Sequence, residues 1–419
     1  MKEENAETEL KDQFKRPGKK RLLKFIVFTC SILILIVFGG YTAFRSPYIQ
    51  TKLTQFLAKQ FSQLIKSKVE IKGVDIEFFN KIVLEGVYVE DLHQDTLAYI
   101  GKLKAGLYQA DFKKHFISGN KVSLENLKFY LKHHIKEDDL NLQFIINVFA
   151  SKDSTKDTTN TPKWSFDFDG LEIKNGAFKF NDFRKERYSP GMEYTFLDIK
   201  NIFLDFDQIT IRGDTINARV NNLQARDKCG FNLQHLEGNA SVSSRFVHVE
   251  NLKIKTPFSR LDLDLELNYR EWNDWIDFED SVRLKADIRQ SHLNFIDIGF
   301  FARPLFNLDI PLDLTGKIKG PVSNLKAKKL DVYYGKETQL SGNFDITGLP
   351  DIDETFFKLD FTTLKSTYSD LSEIPIPPAS EKKFIPLPDI VQKLGQVQFR
   401  GNFTGYYYDF VSDGISALP

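Results

Sequence analysis

The chain has 419 residues, enough for two or three ordinary domains or one long repetitive one. Lys+Arg and Asp+Glu both number 57, so the net charge is zero and gives no bulk electrostatic reason to expect nucleic acid as a partner. The only two cysteines, Cys30 and Cys229, exclude a disulfide framework, while 38 Phe and 15 Tyr favour pleated, half-buried strand.

Residues 1–21 read as a polar cytoplasmic tail, basic towards its end. Lys15, Arg16, Lys19, Lys20, Arg21 and Lys24 lead into an apolar run, Leu22 to Phe44, broken only by Lys24. Residues 22–44 as a helix would span about 35 Å against a bilayer core of about 30 Å. A cleavable signal peptide is the competing reading, but the run is too long and Gly39 to Phe44 make a poor cleavage site. The basic residues before the span predict a cytoplasmic N-terminus, a single pass through the inner membrane, and the bulk of the chain in the periplasm.

Ser46 and Pro47 form a helix start, and Ile49, Leu53, Phe56, Leu57, Phe61, Leu64 and Ile65 recur at helical spacing. The spacing predicts an amphipathic helix over 46–67. It would either pack on the first strands or lie in the membrane interface. From Val69 to the end (69–419) the period changes to two, and strands are expected near 69–71, 74–78, 83–89, 97–100, 103–112, 121–131, 166–168, 171–174, 177–182, 194–211 and 216–223. Others are expected near 236–254, 261–270, 282–288, 312–319, 328–333, 339–347, 356–364 and 396–410. Short helices are expected after Asp139, carrying Phe144 and Ile145, and after Ser291, carrying Phe295 and Ile296. Ser151 to Lys163 and the proline-bearing Leu371 to Asp389 read as excursions from the sheet.

The clearest strand is Leu261 to Arg270, where Leu261, Leu263, Leu265, Leu267 and Tyr269 alternate with polar residues. Glycine recurs between apolar residues at Leu236-Gly238-Ala240, Leu314-Gly316-Ile318-Gly320, Leu340-Gly342-Phe344 and Phe399-Gly401-Phe403-Gly405. Glycine inside strands marks bulges, bends or close backbone approach, so the repeat predicts a sheet that curves or steps at regular places.

No catalytic pattern is present: no Gly-x-Ser-x-Gly, no phosphate-binding loop and no Cys-x-x-Cys. Among seven histidines only His133 and His134 are adjacent, and their side chains should diverge. Asp262, Asp264 and Glu266 suit a solvated strand face better than a calcium site, and Asp167, Asp169 and Gly170 lack the rest of a calcium loop. Lys113, Lys114 and His115 are too short a cluster for a nucleic-acid surface. The expectation is a non-enzymatic chain with no metal and no cofactor.

Too few helices exist to cover the apolar face of so many strands. A two-sheet sandwich, a closed barrel, or one long sheet curled around its own apolar face would each answer that need. The curled sheet would leave an apolar groove in which Ile202, Leu204, Phe206, Leu261, Leu263, Leu265, Leu267 and Tyr269 are the candidate lining.

Several phrases carry a family resemblance. Arg45-Ser46-Pro47-Tyr48-Ile49-Gln50-Thr51, Val69-Glu70-Ile71-Lys72-Gly73-Val74-Asp75-Ile76, and Leu84-Glu85-Gly86-Val87-Tyr88-Val89-Glu90-Asp91 with Asp95-Thr96-Leu97 occur in order. With Leu314 to Gly320 and Leu340 to Phe344 they resemble the N-terminal part of the TamB proteins, the inner-membrane component of the translocation and assembly module, within the AsmA-like envelope group. That resemblance implies a mostly β, elongated, taco-like repetitive sheet behind a transmembrane anchor. It implies phospholipid binding or movement and support of outer-membrane protein assembly, with an outer-membrane barrel partner of the TamA/BamA type. The distinctive C-terminal domain of that family is not found here, so the chain reads as truncated. A periplasmic scaffold that binds outer-membrane protein chains by strand-edge pairing is the alternative.

Overall fold

The computed structural model describes residues 46–77, 81–111, 116–149, 165–212, 214–387, 392–393, 395–406 and 408–417, together with Phe28, Ser31, Ile32 and Gly39. The topology-setting basic residues, nearly all of the 22–44 span and the 151–163 tract lie outside the described residues. No helix among the described residues is long and apolar enough to cross a membrane.

Helix α1 (Pro47–Ile65) begins as its capping residues dictate. Ser46 Oγ accepts from the Ile49 N–H at 3.4 Å, and Lys66, at φ 55°, ends the helix in the left-handed region. Leu53, Leu57, Ala58 and Ile65 pack on Val69, Ile71, Val74 and Leu84. Tyr48, Phe56, Phe61 and Leu64 stay exposed, so the helix has more apolar surface than the strands cover.

All strands belong to one sheet. β1 (Val69–Glu70) and β2 (Gly73–Glu77) both pair with β3 (Lys81–Glu90), which pairs with β4 (Thr96–Asp111). β5 (Phe116–Gly119) and β6 (Val122–His133) share the other edge of β4. The chain then returns through α2 (Gln143–Phe149), so β7 (Ser165–Asp182) runs parallel to β5 and β6. Antiparallel order resumes through β8 (Phe196–Arg212), β9 (Thr215–Asp227), β10 (Asn232–Leu233), β11 (His235–Val242), β12 (Phe246–Lys255) and β13 (Arg260–Asn268). The short α3 (Phe278–Ser281) precedes β14 (Arg283–Asn294), and α4 (Phe295–Gly299) precedes β15 (Pro311–Gly320). β16 (Asn324–Tyr334), β17 (Thr338–Thr347) and β18 (Phe356–Thr367) follow, then α5 (Tyr368–Ser372), β19 (Gln396–Gly405) and β20 (Phe410–Ala417).

Most expected strands are present, and several are longer because strands expected to be separate are continuous, as in β4 and β7. β5, β10 and β20 are additional, and the stretch expected at 236–254 is divided into β11 and β12. Two helix expectations need correction. Ser291 caps nothing: it is buried inside β14, its Oγ accepting from the Asp262 N–H at 2.9 Å, and the cap of α4 is Asn294, whose Oδ1 accepts from the Ile296 N–H at 3.0 Å. Helix α2 begins only at Gln143, well past Asp139.

Strand directions sort the connections onto two rims. One rim carries the β3–β4 turn, the end of β6, and the β7–β8, β9–β10, β12–β13, β14–β15 and β16–β17 connections. There the segment after α4 folds over its neighbours. Phe300 and Phe301 lie 5.8 and 4.9 Å from the Phe231 ring, and the Arg303 guanidinium stands 3.4 Å from the Tyr188 ring.

Candidate functional site: one apolar sheet face

Directly paired residues of neighbouring strands share a face, so the ladder register shows where apolar groups meet. On β13, Leu265 pairs with Val249 of β12 and Ala286 of β14. Ala286 pairs with Ile318, Ile318 with Ala327, and Ala327 with Phe344. Phe344 pairs with Leu359, and Leu359 with Phe403. An unbroken apolar row therefore runs from β12 to β19.

The row continues towards the N-terminus. Val249 pairs with Ala240, and Ala240 with Ala218. Val220, two residues on from Ala218, pairs with Phe206, and Phe206 with Leu171. Beside it, Leu204 pairs with Ile173 and Leu223; Ile173 then leads through Leu124, Leu103 and Leu84 to Val74. There the face is covered by α1 together with Phe144 and Ile145 of α2. Elsewhere the side chains packed on Leu263 and Phe344 come from neighbouring strands of this sheet, to which all the described strands belong, so there is no separate second sheet among the described residues.

The strands are stepped along a line that crosses them. Register shifts fall between Val249 and Leu252, Arg260 and Leu263, Ile288 and Ser291, Thr315 and Lys317, Ala327 and Leu330, and Phe361 and Leu364. Along this line large residues and glycines alternate from strand to strand: Ile288, Gly316, Leu330, Gly342, Phe361, Gly401. A Cβ on Gly342 would stand 2.0 Å from Asp360 O, and one on Gly316 2.7 Å from Lys329 O. The expected glycine repeat is thus a bulge seam, in which glycine admits the carbonyl of the stepped neighbour.

The opposite face is ionic. Glu266 sits opposite Lys285 at 2.6 Å, Asp287 opposite Lys317 at 2.5 Å, and Asp345 opposite Lys326 at 3.0 Å. Arg289 takes both Asp262 and Asp264, at 2.5 and 3.1 Å. Burial works against ionisation of Asp264, but the Asn251 N–H, the largest influence, together with Arg289 holds its pKa below the usual carboxylate range. The acids of β13 are therefore neutralised across the strands. Pairs this exposed contribute little to stability and mark a solvated side.

The candidate lining residues divide accordingly. Leu261, Leu263 and Leu265 form one patch with Leu252, Ile254 and Ala286, and Leu267 extends the face beside it, pairing with Val247 and Leu284; Leu263 is 9 % exposed and the other three leucines are half-buried. Leu204 is buried and Phe206 half-buried in the same apolar face, and half-buried Ile202 lies opposite Gly176 between two register shifts. Tyr269 is enclosed instead: its O–H donates to Ser243 O at 2.8 Å and its ring meets Trp272 and Trp275, so it closes the end of the row. The aromatic group Phe344, Phe361 and Phe399 belongs to the same face and was legible only as separate strands; its rings meet at 5.3 and 6.2 Å. No known protein family, curated protein or solved structure matches the chain.

Proposed function

We propose that the protein is a non-catalytic member of the TamB and AsmA-like group, anchored in the inner membrane, which holds phospholipid acyl chains along this apolar face in the periplasm. The observation that carries the reading is the continuous apolar row from β12 to β19, in one sheet whose buried clusters at Leu263 and Phe344 draw only on its own strands among the described residues. Leu263 reaches near-complete burial among neighbours of its own sheet, which supports a concave, trough-like face. Each methylene removed from water on such a face gains about 0.8 kcal/mol, so an acyl chain of ordinary length is held by contact alone. The expected outer-membrane barrel partner and the role in outer-membrane protein assembly belong to the same reading and rest on the family resemblance.

Photocrosslinking amino acids at Leu263, Leu265 and Phe206 in the full chain in membranes should capture phospholipid, while one at Glu266 on the ionic face should not. Absence of lipid adducts at all three apolar positions would overturn the reading.

A second reading rests on β20. It is bonded only to β19 among the described residues, and Val411 and Ile415 are 73 % and 78 % exposed. An open edge of this kind accepts a further strand, from this polypeptide or from an outer-membrane protein client. Adducts to polypeptide from positions 411 and 415, with none to lipid from the apolar face, would favour this scaffold role.

A further inference from the structure

We infer that Asp91, His93 and His134 form a binding site for one divalent metal ion of the zinc class. His93 lies in the β3–β4 turn and His134 follows β6, yet their ring centroids lie 4.0 Å apart, the planes tilted by 31°. Together with an Asp91 oxygen, their ligating atoms all lie within 4.8 Å of one another. Two ligands of a tetrahedral zinc ion lie about 3.4 Å apart at ordinary metal–nitrogen distances, so small side-chain rotations close the set.

Three features prepare these groups for an ion. The His134 Nε2 is buried and has no hydrogen-bond partner, so its ring offers an unused polar atom. The His93 Nε2 stands 2.8 Å from Glu137 Oε1; donation there leaves the lone pair on the other ring nitrogen, the arrangement by which carboxylates orient metal-binding imidazoles. Asp91 is fixed by the His93 and Asp95 N–H groups, each 2.9 Å from Oδ1, and by Asn141 Nδ2, 2.8 Å from Oδ2. A carboxylate has room for about four contacts, so one lone pair remains for a metal. Two imidazoles and a carboxylate suit zinc, cobalt or nickel better than calcium or magnesium. His93 is 41 % exposed, which leaves an approach from solvent.

The site joins the β3–β4 turn to the segment leading into α2, whose Phe144 and Ile145 cover one end of the apolar face. A bound ion would fasten that cover to the sheet.

The test uses the full chain in detergent, stripped of metal with a chelator and titrated with Co²⁺. One equivalent should produce a visible d–d absorption band that Zn²⁺ abolishes. His93→Ala and His134→Ala should each remove the band, and Asn141→Ala should weaken binding by about 10-fold or more. In the unaltered chain, Zn²⁺ should slow diethylpyrocarbonate modification of His93 and His134 while leaving His292 as reactive as before. This second measurement does not depend on a variant folding. No band with folded chain, a band undiminished in both histidine variants, or equal protection of His292 would each overturn the inference.

Discussion

Asp370 is only 6 % exposed and is held by donors from the β16–β17 turn. Its Oδ2 lies 2.7 Å from the Glu337 N–H, 2.9 Å from the Thr338 N–H and 3.0 Å from the Thr338 hydroxyl, with the Lys336 N–H at 3.2 Å. Other buried aspartates act alike on this rim: Asp91 binds the N–H groups of its turn, Asp182 that of Arg184, and Asp227 that of Cys229. Each turn has N–H groups that face no partner strand, and a buried carboxylate satisfies several at once. For Asp370, burial by itself raises the pKa, but the Glu337, Lys336 and Thr338 donors outweigh it and hold the group below its ordinary value. A depressed folded value contributes stability above the unfolded pKa of about 3.9, and that stability is lost as pH falls through the folded value. Asp370→Asn should therefore lower unfolding free energy at pH 7 by about 2 kcal/mol. In urea titrations over an acid series, part of the acid-limb slope should vanish with it; an unchanged slope would refute the assignment.

At the scale of the strand, positive backbone φ falls in the middle of strands at Asn126, Asn175, Asn201, Asn251 and Lys329, with values of 49–56°. Asparagine tolerates this region better than other residues with a Cβ, and the freed N–H is caught from the next strand. The Asn251 N–H donates to Asp264 Oδ1 at 2.7 Å, and the Lys329 N–H to Asn343 Oδ1 at 3.1 Å. Strand content and inward faces were legible because period two is local: Leu261 to Leu267 needs no partner to be recognised. The seam was legible as a glycine repeat that predicts steps, but not as a line across the strands, because a bulge belongs to a pair of strands and its register is set across the ladder. The same reason hides the meeting of His93 with His134, which only the fold brings together. Gly342→Ala, which pushes a methyl towards Asp360 O, should cost about 1–3 kcal/mol. Asn251→Gly should be nearly neutral, whereas Asn251→Val should cost about 1–2 kcal/mol from the left-handed backbone alone. Thermal melts of these three variants check the order, and an equal loss in both Asn251 variants would show that φ is not the cause.

For the whole molecule, the separation of an ionic face from an apolar one decides how a lipid would bind under the proposed role. The charges opposite Leu265 are already paired across strands, so a headgroup has few free partners there and chain length should dominate affinity. At about 0.8 kcal/mol per methylene, each carbon added to a single-chain phospholipid should tighten binding about fourfold. Under the proposed role, an open apolar face running from β12 to β19 would impose no early ceiling, whereas an enclosed pocket stops gaining once it is full. Leu265→Asp places an unpaired charge in the middle of the row and should reduce the increment for longer chains, while Lys285→Gln on the other face should leave it unchanged. Competition against a fluorescent fatty acid, repeated at low and high salt, measures the increment and separates apolar contact from headgroup attraction. Affinity that ignores chain length but falls with salt would place lipid recognition on the ionic face and remove the apolar row from the mechanism.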